Sequence, residues 1–165
     1  YSSDPRTIIP LDRFHVPRSL AKLVRRGDFH ITRDRAFDQV IRQCAQPRSR
    51  ESDTWINDTI INLYCTLHDS GVAHSVEAWD GEQLVGGLYG VALGGAYFGE
   101  SMFSQRTNAS KICLVHLVDH LRERGFALLD TQFTNPHLEQ FGIEEIAQEQ
   151  YLARLEDALQ MDITF

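Results

Sequence analysis

Gly94-Gly95-Ala96-Tyr97-Phe98-Gly99-Glu100-Ser101-Met102-Phe103-Ser104, then the run from Asn108 to Arg124, then Leu128-Leu129-Asp130-Thr131-Gln132 decide how this chain folds. The first segment reads as a glycine turn and a strand ending at Glu100. The second reads as a helix closed by Gly125, with Ile112, Val115, Leu117, Val118 and Leu121 inward. The third is a strand. Asp130 and Gln132 stand two residues apart, so on a strand they share a face. Leucines flank that face, yet it carries a carboxylate and an amide. Such a conflict with burial more often marks a site than an accident.

Working outward, Ser75 to Trp79 is a strand and Asp80-Gly81 a hairpin turn. Leu84 to Ala92 is the returning strand. Gly86, Gly87 and Gly90 interrupt it, which implies a bulge or the close approach of a ligand to the backbone. Downstream, Asn135-Pro136 starts a short helix closed by Gly142, Ile143 to Ile146 is a short strand, and Glu149 to Gln160 is the last helix. From Ser75 the order is β-β-β-α-β-α-β-α. That is an α+β (mixed α/β) pattern, the order of the acetyltransferase-like (GNAT-like) fold.

The first third is less periodic. Residues 1–16 read as an extended lead-in with no period. Pro17 opens a helix to about Arg26, stopped by Gly27. Phe29 to Thr32 is a strand. Asp34 is read as the cap of a helix carrying Phe37, Val40, Ile41 and Cys44. Gln46 to Thr54 is a polar loop. Asn57 or Asp58 caps a helix whose apolar stripe is Ile60, Leu63, Tyr64 and Leu67.

With 165 residues the chain suits one domain, and no apolar run approaches the ~20 residues of a membrane span. Three cysteines, an odd count, imply reduced thiols and a cytoplasmic protein. Charge is uneven: residues 1–50 hold 11 Lys/Arg and 5 Asp/Glu, and residues 51–165 hold 5 and 18. A basic first third on an acidic chain points to an anionic partner on one side, or to a solvated helical face.

A strand-end Asp130 can orient a neighbouring amide or accept a proton from an amine; it can also be a plain polar cap. Glu100 can hold an ammonium or guanidinium group, or stand as a solvated edge residue. His116 and His120 lie one helical turn apart without a third ligand, so no metal site is expected. There is no Gly-x-Ser-x-Gly elbow. The loop Ser104-Gln105-Arg106-Thr107-Asn108-Ala109-Ser110-Lys111 has no glycine, against the pyrophosphate-binding signature of coenzyme A-dependent acetyltransferases.

Several motifs in one order resemble the leucyl/phenylalanyl-tRNA–protein transferases. Tyr1-Ser2-Ser3-Asp4-Pro5-Arg6 is similar to that family's Trp-x-Ser-Pro-Asp-Pro-Arg, with Tyr1 in place of Trp and Ser3 in place of Pro. Thr54-Trp55-Ile56, Ala73-His74-Ser75-Val76-Glu77 and Leu84-Val85-Gly86-Gly87-Leu88-Tyr89-Gly90-Val91 also match. Gly99-Glu100-Ser101-Met102-Phe103-Ser104 followed by Asn108-Ala109-Ser110-Lys111 is the most specific block, and Asp130-Thr131-Gln132 resembles the family's Asp-x-Gln. The resemblance covers nearly the whole chain.

It implies a bacterial, cytoplasmic aminoacyltransferase of the N-end rule of protein degradation. Such an enzyme moves Leu, Phe or Met from aminoacyl-tRNA to a protein's N-terminal Arg or Lys, acts as a monomer and uses no cofactor. Residues 1–165 would be the acetyltransferase-like catalytic domain, with 1–16 as its extended lead-in and the family's small N-terminal domain absent from this sequence. Asp130, Gln132 and Glu100 would be catalytic. Leu88, Met102, Leu117, Leu121 and Leu129 would line the aminoacyl pocket. Trp55 and Tyr1 would stack on the terminal adenosine, and Arg6, Arg18, Lys22, Arg25 and Arg26 would meet the tRNA backbone. Two other readings stay open: a second acyl transferase on the same scaffold, and a non-catalytic module that binds tRNA or N-terminal peptides.

Overall fold

A computed structural model describes residues 4–47, 54–132 and 134–165. In chain order these form β1 (Arg6–Ile9), a 3-10 turn (Leu11–Arg13), α1 (Arg18–Arg26), β2 (His30–Arg33), α2 (Phe37–Cys44) and α3 (Asp58–Asp69). Then follow β3 (Ala73–Asp80), β4 (Gln83–Leu93), β5 (Ala96–Ser104), α4 (Ala109–Arg124), β6 (Leu128–Gln132), α5 (Pro136–Glu139), β7 (Glu144–Ile146) and α6 (Gln148–Leu159). The β-β-β-α-β-α-β-α order is therefore observed, and the class is mixed α/β.

The strands make one sheet in the order β2-β3-β4-β5-β6-β1-β7. Hairpins join β3 to β4 and β4 to β5, β2 pairs antiparallel with β3 after the α2–α3 excursion, and the crossover through α4 makes β5 and β6 parallel. One face is covered by α4, with Leu20 of α1 in the same core. Residues of α2 and α3 pack with Leu84 and Tyr89 in a second core, and α6 packs Tyr151 and Ala158 with Ile8 and Leu128 in a third. Helix α4 buries Ile112, Cys113, Leu114, Val115, Leu117, Val118 and Leu121, apolar around most of its girth, as a helix held between layers must be. Gly125 closes it at φ +83°, and Phe126 N–H reaches back to the Leu121 carbonyl.

Two register shifts shape the centre. Trp79 faces Leu84 and Ala78 faces Gly86, so Val85 is an extra residue on β4. Tyr89 faces Ser101 and Gly90 faces Gly99, so Glu100 is the extra residue on β5. A bulge bends its strand and re-aims a side chain. The parallel β5–β6 ladder runs only from Ala96↔Leu128 to Phe98↔Asp130. Beyond it β5 continues against β4, and β6 continues against β1. The two middle strands therefore part at Gly99 and Thr131, and the sheet opens there.

Four sequence expectations change. The extended lead-in is part of the sheet: Arg6–Ile9 pairs with β6 and β7 and lies between them. Asp34 does not cap α2; it sits at φ +56° with its carboxylate on Ser75 N–H and His74. Leu63 is 53% exposed while Ile61 is buried, because the inner face of α3 runs through Ile60, Ile61, Tyr64 and Leu67 and leaves Leu63 on its far side. Gly86 answers to a helix rather than a ligand. A Cβ on it would lie 2.5 Å from that of Ala109, so glycine lets α4 begin directly against β4.

Candidate active site

A cavity of about 420 Å³ occupies the opening between β5 and β6. Its apolar wall is Leu88, Met102, Leu114, Leu117 and Leu129, contributed by β4, β5, α4 and β6. Its other wall comes from the α2–α3 side, with Cys44, Trp55, Ile56 and Tyr89, while His137 and Leu138 of α5 close over it. Four of the five leucine and methionine positions expected from the sequence thus line one hollow. Leu121 is buried in the core and does not reach its wall. Trp55 stands at the mouth, 53% exposed. Tyr1 lies outside the described residues.

Glu100, placed by its bulge, is the one carboxylate on the wall among the described residues. Burial pushes its pKa up, and nearby Asp130 adds to this. Hydrogen bonds from Tyr64 and Gln132 and the charge of Arg6 pull it down. Gln132 ends β6 at φ +69° and donates its side-chain amide to the Gly99 carbonyl at 3.4 Å. Glu100 and Gln132 therefore meet at the point where the strands part.

Asp130 is fully buried, on the opposite face of β6 from the cavity-lining Leu129. Arg6 donates to it through an Nη at 2.6 Å and through Nε at 3.1 and 3.2 Å. Tyr151 Oη donates at 2.6 Å, and the backbone N–H of Gln132 at 2.8 Å. Arg6 also lies over the Tyr151 ring, 4.9 Å from its centroid. So Asp130 reaches Gln132 through the backbone, fixing where the amide starts. Arg6, expected on a phosphate, instead gives its guanidinium to this carboxylate, with 14% of the side chain exposed. The sequence could not pair positions 6 and 130, because the pairing depends on β1 entering the sheet.

Arg18, Lys22, Arg25 and Arg26 are all on α1, at spacings that keep them on one side, while Leu20, Leu23 and Val24 face the core. Arg26 also pairs with Asp28 at 3.0 Å. The cavity residues not singled out from sequence include Cys44, Ile56, Leu114, His137 and Leu138; Leu114 reads as core until the strand opening is known. Among the described residues no group of His, Cys, Asp and Glu is arranged to hold a metal, and no helix is long and apolar enough to cross a membrane.

The family description "Leucyl/phenylalanyl-tRNA protein transferase" matches residues 8–156. This chain belongs to that family. Curated relatives of that name from Hyphomonas neptunium and Maricaulis maris are each 54% identical over 162 residues, 98% of this chain. One from Rubrobacter xylanophilus is 53% identical over 166 residues, 100% of this chain. The chain spans 63%, 75% and 85% of those relatives respectively. A solved structure described as L-PGS from Bacillus licheniformis is similar over 82% of this chain and 49% of its own, with a TM-score of 0.51 and 13% identity. That likeness concerns the fold alone.

Proposed function

We propose that this leucyl/phenylalanyl-tRNA–protein transferase family member transfers Leu or Phe from the 3′ end of aminoacyl-tRNA to the N-terminal Arg or Lys of a protein. The observation that carries it is the apolar cavity with Glu100 and Gln132 at one edge and Trp55 at its mouth. Its volume lies within the ~300–1,000 Å³ of small-molecule sites. A branched or aromatic side chain fits between Leu88, Met102, Leu117 and Leu129, and Met102 adapts to either shape. The short parallel ladder and the parting strands support an acetyltransferase-like framework.

The acceptor's α-amino group, with a pKa of ~8, arrives largely protonated near neutral pH. The Glu100 carboxylate attracts that ammonium, and together with Gln132 orients it. The amine nitrogen, once it has lost its proton, attacks the ester carbonyl. A C–N bond forms, the ester C–O bond breaks, and the departing 3′ oxygen takes a proton. Positioning supplies most of the advantage, because the ester is already activated. Asp130 acts by fixing Gln132 through its backbone N–H. Trp55 stacks on the terminal adenosine, worth ~1–3 kcal/mol. The basic side of α1 meets acceptor-stem phosphates. The enzyme works as a cytoplasmic monomer.

The experiment follows labelled Leu from Leu-tRNA onto an Arg-starting peptide, for wild type, Glu100→Ala and Gln132→Ala. Both variants should lose at least ~10²-fold in rate. Wild-type rates in both would remove these residues from the mechanism. Absence of transfer by the wild type would leave a binding module as the reading.

A further inference from the structure

A second hollow, of about 930 Å³, opens beside the aminoacyl cavity. The two meet, for Gln46, Pro47, Met102, Leu114, His137 and Leu138 line both. Most of its remaining wall is the end of β5 and the first turn of α4, Phe103 to Asn108 with Ser110 and Lys111. That stretch belongs to the most family-specific block of the sequence, yet the function proposed above uses only Glu100 and Met102 from it. Bonds across the stretch fix its shape. Ser104 Oγ donates to the Arg106 carbonyl at 2.8 Å and accepts from Ser110 N–H at 3.1 Å, and the Gln105 amide donates to Gln43 at 2.8 Å.

We infer that this second hollow holds the sugar-phosphate chain of the nucleotides that precede the terminal adenosine of aminoacyl-tRNA, with the Lys111 ammonium on one of their phosphates; this rests on the function proposed above.

Charge selects the occupant. Among its described residues the hollow has two cations, Arg106 and Lys111, and no carboxylate, on a chain of net charge −7. Arg106 is held by Asp80 at 2.6 Å. Lys111 is half-buried and makes no ion pair among the described residues. An ammonium so placed suits a phosphate. An acceptor protein that begins with Arg or Lys would bring a like charge, which such a wall repels. Position agrees with charge. Trp55, Pro47 and Gln46 stand on one wall of the cavity, and the last two reach into the second hollow, so a strand leaving an adenosine on Trp55 has an open way in. Ile112, next to Lys111, packs in one core with Leu20 and Leu23 of α1, while Leu114 lines the cavity. Lys111 therefore stands between the basic helix α1 and the cavity, on the route from acceptor stem to terminal adenosine. Thr107, Asn108 and Ser110 on the same wall are side chains of the kind that meet phosphate and sugar without reading bases.

Two ligands test this in the full chain by calorimetry: 3′-leucylamido-3′-deoxyadenosine, which has no phosphate, and cytidylyl-cytidylyl-adenosine carrying the same 3′-leucylamide. Wild type should bind the trinucleotide at least ~10-fold more tightly. Lys111→Ala should weaken trinucleotide binding at least ~5-fold and flatten its salt slope by ~0.7, the loss of one single-strand phosphate contact. The same variant should leave nucleoside binding unchanged, and Lys111→Arg should restore the trinucleotide. Equal binding of the two ligands by wild type would overturn the inference. So would an equal loss on both ligands in Lys111→Ala, which would make Lys111 a support of the cavity itself. A higher KM for an Arg-starting peptide in that variant, with trinucleotide binding intact, would overturn it too and give the hollow to the acceptor protein. If wild type binds neither ligand, the proposed function falls with it; if the nucleoside binds and the phosphates add nothing, this inference falls alone.

Discussion

Removing the Arg6 guanidinium should destabilise this protein more than most single truncations. Asp130 has no exposed surface and accepts from three groups, of which Arg6 alone is a cation. Arg6→Ala leaves a buried carboxylate with a phenol and a backbone N–H and no counter-charge. Breaking a buried pair in this way costs about 3–5 kcal/mol. A protein of this size shifts by ~2–4 °C per kcal/mol, so the melting temperature should fall by about 6–20 °C. Thermal unfolding by circular dichroism measures it. The decisive companion is Arg6→Ala/Asp130→Asn, which removes the stranded charge and should recover at least about half of the deficit. A single variant within about 2 °C of wild type, or a double variant melting below the single one, would refute the idea that this ion pair fixes β1, β6 and α6 together.

Glu100→Gln should separate function from stability. The raised pKa means that the neutral carboxyl suits its buried setting: the stability it contributes is present below the ordinary Glu range and is lost as pH rises through the folded value. The variant should therefore melt above wild type at pH 7 and level with it at pH 3, while transfer drops ~10²–10⁴-fold; melting curves at both pH values check the sign. Arg18→Glu/Lys22→Glu/Arg25→Glu should leave transfer chemistry intact and weaken tRNA binding. The slope of log K against log salt should flatten by ~0.7–0.9 for each phosphate that is no longer neutralised, as read by filter binding from 50 to 200 mM salt.

The central part of the fold is legible in the sequence because its signals are local. Asp80-Gly81 marks a hairpin, Gly125 a helix end, and α4 carries its apolar residues at helical spacing. The cavity wall is readable to the extent that Leu88, Met102, Leu117 and Leu129 lie in elements with clear periods. What escapes depends on pairing across the chain. Arg6–Ile9 has the length of an edge fragment, and only its two neighbours in the sheet make it a strand. Asp34 looks like a cap because cap residues and left-handed turn residues are the same types. Glu100 and Val85 look like ordinary strand residues, since a bulge is visible only in the register of the partner.

The placement of β1 has a kinetic consequence. Residues 6–9 emerge from the ribosome well over a hundred residues before the strands that flank them, 128–132 and 144–146, have been made. Until then the early segment has nowhere to dock, and once β6 is made its edge has no cover until β1 arrives. Closing so long a loop is slow and leaves a strand edge open to foreign pairing in the meantime. Assembly of this protein should therefore finish one strand in from the sheet's edge, with β1 inserted last between β6 and β7.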